Sequence, residues 1–112
     1  MEVYTELTDL KQVEQEVSSN TSLILYFYND HCAPCISLRP KVKALTDEQF
    51  PEMKLFFVNS EKYPAISAHF QVFSNPTLII FFDGREYRRE SKYISIPQLA
   101  AEIDRPYQMI YS

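Results

Sequence analysis

A chain of 112 residues, 46% of them hydrophobic, has the size and apolar content of one domain with its own core, so a single domain over residues 1–112 is expected. A formal net charge of −4 with a pI ≈ 5.1 argues against a nucleic-acid surface. The one dense basic cluster, Arg85, Arg88, Arg89 and Lys92, is interleaved with Glu86 and Glu90 and reads as a solvated edge.

The N-terminal order Met-Glu-Val-Tyr-Thr-Glu lacks the basic, apolar, small-residue sequence of a signal peptide. The longest apolar runs, 23–28 and 78–82, fall far short of the ~18 residues that a spanning helix needs. A cytoplasmic chain with no membrane partner is therefore expected. In a reducing compartment, a lone pair of cysteines points to redox chemistry rather than to a structural staple.

Taken in order, residues 3–7 read as a short first strand. Thr8 is expected to cap a helix whose apolar Leu10, Val13 and Val17 fall on one face, ending at Ser18-Ser19-Asn20. Residues 22–28 are apolar without alternation, as in a strand buried on both sides. A helix with Ile36, Leu38, Val42 and Leu45 runs to about residue 48, with a kink expected at Pro40. Residues 55–58 form another apolar strand, and 64–70 a short helix. Asn75-Pro76 precedes a third apolar strand, 77–82. Asp83-Gly84, holding the only glycine, signals a hairpin into a polar strand over 85–90. Ser95 with Gln98 forms a capping box for a last helix, with Pro97 in its first turn. Leu99, Ile103 and Met109-Ile110 mark the apolar side of that helix, and Pro106 should bend or end it. The order β-α-β-α-β-α-β-β-α implies an α/β fold with a central mixed sheet and helices on both faces.

The chemistry-bearing stretch is Asn29-Asp30-His31-Cys32-Ala33-Pro34-Cys35. It sets the only two cysteines at a strand-to-helix junction, where unpaired N–H groups and the positive end of the helix dipole favour a thiolate. Disulfide exchange is the expected activity. A four-ligand zinc site needs more than one Cys-x-x-Cys; His69 belongs to a different helix and His31 adjoins Cys32 awkwardly, so neither a metal nor another cofactor is expected.

Together, Cys32-Ala33-Pro34-Cys35 after the second strand, Pro40 in the next helix, Asn75-Pro76-Thr77 before an apolar strand and Asp83-Gly84 in the hairpin resemble the thioredoxin family over nearly the whole chain. The resemblance implies a thioredoxin-like fold and a thiol–disulfide oxidoreductase that reduces protein disulfides. Cys32 would be the exposed nucleophile and Cys35 the buried resolving thiol. Pro76 would be a cis-proline packed against them. Pro34, Asn75 and Lys92 would contribute to the substrate surface, with the Asn75 backbone pairing to the bound chain. A monomer is expected, re-reduced by a partner such as a thioredoxin reductase.

Five positions depart from the family. Tyr26 stands where thioredoxins usually carry a buried aspartate, and Phe57 where a neighbouring lysine is common. Tyr26, with a reference pKa of ~10, would be a poor base near neutral pH. His31 replaces the usual tryptophan and is a candidate to bind substrate and tune Cys32, either as a cation or as a proton acceptor. Ala33 replaces a glycine, and Lys92 another on the surface that receives partners. These changes suggest a narrower partner set. They also leave a second reading open, a binding or redox-regulatory module with little general reductase turnover.

Overall fold

The computed structural model describes residues 4–112. Its elements run α1 (Leu10–Ser19), β1 (Ser22–Tyr28), α2 (Ala33–Gln49), β2 (Lys54–Asn59), α3 (Pro64–His69), β3 (Thr77–Phe82), β4 (Arg85–Ser91) and α4 (Ile96–Tyr111). The sheet order is β2-β1-β3-β4. β1 pairs with β2 in parallel and with β3 antiparallel, and β3–β4 is an antiparallel hairpin, so the sheet is mixed.

This arrangement explains why β1 and β3 are continuously apolar. Both are flanked by strands and covered on both faces, and every residue of each is buried. Alternate side chains serve two cores. Ile24, Tyr26, Tyr28, Leu78 and Ile80 meet Leu38 and Val42 of α2 and Leu99 and Ile103 of α4. Leu23, Leu25, Phe27 and Ile79 meet Val13 and Val17 of α1 and Ile66 of α3. β4 has a neighbour on one side only, and its exposed residues match its polar sequence. The hairpin turns through Asp83 and Gly84, both at positive φ (53° and 77°), the backbone of a two-residue turn whose twist suits the flanking strands.

Several local expectations are corrected. The first strand expected over residues 3–7 begins outside the described residues. Within them it is reduced to one parallel bridge between Glu6 and Phe57, in which the Leu7 amide donates to the Phe57 carbonyl at 2.8 Å. Asp9, not Thr8, caps α1, its carboxylate accepting from the Lys11 amide at 2.9 Å. A carboxylate there also complements the positive helix end. Ser95 caps α4 by accepting from the Gln98 amide, but the Gln98 side chain turns to Glu102 rather than closing the box. Of the bend or end expected at Pro106, the end is excluded, because α4 continues through it to Tyr111. The buried stripe of that helix is Leu99, Ile103 and Tyr107, at a spacing of four, while Met109 is 76% exposed.

The polar strand has a structural duty as well. The Arg89 guanidinium holds Glu86 through two hydrogen bonds of 2.8 Å and reaches the carbonyls of Phe70 (3.0 Å) and Gln71 (3.2 Å). It thereby fastens the segment that leads from α3 into Pro76.

Candidate active site

β1 ends at Tyr28 and delivers the chain into a tight turn. The Asn29 side-chain oxygen accepts from the His31 amide at 2.8 Å, and the Asn29 carbonyl accepts from the Cys32 amide at 3.4 Å. This side-chain-mimicked turn sets up the helix start. Cys32 is itself the N-cap of α2, its Sγ accepting from the Cys35 amide at 3.2 Å. Pro34 occupies the first turn, where a missing N–H costs nothing. Cys32 is partly exposed and Cys35 fully buried, and the two are joined in a disulfide with Cα atoms 5.2 Å apart. When the bond opens, the amide that caps Sγ and the helix dipole both favour a thiolate at Cys32, by about 0.5–2 kcal/mol.

The Asn75–Pro76 peptide is cis, as the resemblance implied. Its surroundings hold it from two sides. The Pro76 carbonyl accepts from the Lys92 amide at 3.0 Å. The Ser60 hydroxyl proton is shared between the Asn75 side-chain oxygen at 2.7 Å and the Tyr28 carbonyl at 2.9 Å. Ser60 thus joins the end of β1 to the proline loop, a role nothing in its sequence neighbourhood announces. Pro34, Pro76 and Lys92 line one cleft. His31 lies outside that cleft lining. It is exposed, and its Nε2 is 3.5 Å from a Glu61 carboxylate oxygen. Asp30 is engaged by Asn59, whose side-chain nitrogen donates to it at 3.3 Å.

Behind the disulfide, the acid and lysine of the family pattern are replaced by a packed aromatic pair. Tyr26 and Phe57 are register partners on β1 and β2, with ring centroids 4.9 Å apart. The Tyr26 hydroxyl donates to the Cys35 carbonyl at 2.5 Å. Burial pushes the Tyr26 phenol well above its ordinary value, with a nearby Arg39 opposing the rise. The Tyr26 hydroxyl is thus a buried hydrogen-bond donor to the Cys35 carbonyl. Tyr28 is displaced in the same direction, by burial and by its hydrogen bond to Glu6 at 2.7 Å.

Arg39 is a charged neighbour of Tyr26 and Phe57 that sequence reading missed. Its guanidinium carbon lies 4.4 Å from the Tyr28 ring centroid, 5.2 Å from that of Tyr4 and 5.7 Å from that of Phe57. A cation from α2 therefore lies over the rings of Tyr28, Tyr4 and Phe57. A signal existed. Arg39 falls four residues after Cys35, within the stripe Cys35, Leu38, Val42 and Leu45 that faces the core. Ile36 and Phe73, 57% and 89% exposed, were also missed as apolar surface on the segments carrying Cys35 and Pro76.

The site's one bond that can open and close reversibly is between two sulfurs, one reachable and one buried, which defines a thiol–disulfide exchange protein. The family model described as Thioredoxin matches residues 4–105. Thioredoxin-like protein YdfQ of Bacillus subtilis is 28% identical over 109 residues, spanning 97% of this chain and 96% of that protein. A thioredoxin of Mycoplasma genitalium is 32% identical over 85 residues, 76% of this chain and 82% of its own length. Among solved structures, oxidised mitochondrial thioredoxin 3 from Saccharomyces cerevisiae matches with a TM-score of 0.80 at 23% identity, covering 90% of this chain and 93% of that one. The chain belongs to the thioredoxin family and is a thiol–disulfide oxidoreductase.

Proposed function

We propose that Cys32 opens protein disulfides and that Cys35 completes the exchange, in a cytoplasmic monomer recharged by a dedicated reductase. The observation that carries the assignment of roles is the unequal exposure of the bonded pair, Cys32 partly open and Cys35 fully buried at the start of α2. In the reduced protein the Cys32 thiolate attacks a substrate disulfide, forming a mixed disulfide and expelling one substrate thiolate. The Cys35 thiol then loses its proton and attacks Cys32 Sγ, closing the Cys32–Cys35 bond and expelling the second thiolate. Two electrons pass from protein to substrate. Of the two protons that the leaving thiolates take up, one is that lost from Cys35 and the other comes from solvent, to which Cys32 released its own on ionising.

Around that step, the Asn75 backbone pairs with the substrate chain, and Pro34, Pro76 and Lys92 form the surface it lies on. His31 borders the nucleophile from the Glu61 side, 3.5 Å from that carboxylate. A reductase partner is supported by one relative named bifunctional thioredoxin reductase/thioredoxin, of Mycobacterium leprae, in which the two names share a chain. A cytoplasmic location is compatible with the observation that no helix among the described residues is long and apolar enough to cross a membrane.

Turnover on a model protein disulfide, with dithiothreitol as terminal reductant, tests the enzyme. Reduction should exceed that by dithiothreitol alone, and Cys32→Ser should abolish the excess. Cys35→Ser should instead accumulate mixed disulfides through Cys32. Capture by Cys32→Ser in place of Cys35→Ser would reverse the two roles. A wild type that never exceeds the background would leave a redox-sensing module.

A further inference from the structure

A cleft of about 410 Å³ opens beside the disulfide, between the first turns of α2, Pro76 and the turn into α4. Its apolar walls include Pro34, Leu38 and Ile94, and two lysines, Lys41 and Lys92, stand among them with no carboxylate in the lining. Among the described residues neither lysine has an ion-pair partner, as is true of all the lysines and arginines except Lys43 and Arg89; what sets these two apart is that they share one cleft. In a chain of net charge −4 this leaves a basic pair in the cleft that Pro34 and Pro76 also line. Lys92 is also held in place by its backbone. It lies at φ 65°, a region that disfavours a side chain, with its amide on the Pro76 carbonyl at 3.0 Å. Non-glycine residues persist in such conformations where surrounding contacts hold them, and they cluster at ligand sites.

We propose that Lys41 and Lys92 make this oxidoreductase selective for disulfides flanked by acidic residues, the acidic segment of the substrate lying in this cleft. The inference rests on the exchange reaction above and names its substrate class. From Pro34 to Lys41 the helix advances about 10 Å, the reach of roughly three residues of extended chain. The selected carboxylates therefore lie within about four residues of the substrate cysteine. Low-dielectric walls lined by one sign of charge concentrate the opposite charge at the site.

The test uses peptides that each contain one intramolecular disulfide and are identical except for the four residues beside one cysteine, which are Glu, Gln or Lys. Single-turnover reduction by the freshly reduced protein is measured and divided by the rate with dithiothreitol, which removes the intrinsic reactivity of each peptide. Two exposed ion contacts of ordinary strength should favour the Glu peptide over the Gln peptide about fivefold at low ionic strength. The preference should fade at roughly 0.5 M salt. Replacing both lysines (Lys41→Gln with Lys92→Gln) should bring the ratio to about one, while Lys41→Arg with Lys92→Arg should preserve it. Equal normalised rates for Glu and Gln peptides, a preference for Lys, or a Glu preference that survives the double Gln variant would each overturn the proposal. If no peptide is reduced, the exchange reading beneath it fails; if all are reduced without ranking, only the selectivity does.

Discussion

Replacing Tyr26 by Phe separates two roles that a buried hydroxyl beside a resolving cysteine can have. The ring would stay packed against Phe57 at 4.9 Å, so no cavity forms. The change removes the 2.5 Å bond from the hydroxyl to the Cys35 carbonyl, in a position with no solvent exposure. A neutral hydrogen bond contributes about 1 kcal/mol net, and the Cys35 carbonyl, inside α2, keeps its helical partner. Tyr26→Phe should therefore cost the oxidised protein about 0.5–1.5 kcal/mol. Guanidinium unfolding of the oxidised forms reads this directly as a lower midpoint at unchanged slope. Catalysis should respond differently. Even at an ordinary phenol pKa of ~10, only about one molecule in a thousand is ionised at pH 7. Burial moves Tyr26 further from ionisation. The rate of disulfide reduction should therefore stay within about threefold of wild type, with the same pH profile. A fall of a hundredfold with an altered profile would make Tyr26 the proton carrier and refute this account. An unchanged unfolding midpoint would show that the hydroxyl bond contributes nothing.

Two further outcomes are expected. Arg39→Met keeps the apolar stem but removes a guanidinium stacked on three rings. It should lower stability by about 1–2 kcal/mol in thermal unfolding. A variant as stable as wild type would show that the stacked guanidinium contributes nothing. Glu90 on β4 faces Glu102 on α4, and its pKa is raised by burial and by that carboxyl, while Glu102 Oε2 is buried without a hydrogen-bond partner. A carboxyl whose folded pKa lies above its unfolded value binds more protons in the native state. Its ionisation therefore subtracts stability above that folded pKa, and the deficit disappears as pH falls through it. Glu90→Gln, which supplies a donor to Glu102, should stabilise the protein at pH 7 by up to about 1 kcal/mol, discounted for partial exposure. The gain should vanish below about pH 4. A gain that persists there would mean that charge is not its source.

β1 and β3 were legible from sequence because a strand buried on both faces must be apolar throughout. The residues 22–28 and 77–82 read from the chain are those observed. The thiol pair and its helix were legible because Cys-x-x-Cys between an apolar run and a helical repeat puts one thiol at a helix start. Capping was less so: Thr8 is the cap that the sequence suggests for α1, and the accepted Lys11 amide assigns that role to Asp9 instead. The C-terminal helix was misjudged where a Pro at 106 had to be weighed against packing of Tyr107, which lies 5.0 Å from Phe50 ring to ring. The tertiary structure alone decided which charges meet. It stacks Arg39 under the β1–β2 pair, sets Glu90 against Glu102, pairs His31 with Glu61 and leaves Lys41 and Lys92 unpaired in one cleft. Periodicity along a chain reports which side of an element is dry. Where a charged side chain finds its partner depends on residues brought together from distant parts of the chain, and no local pattern encodes that.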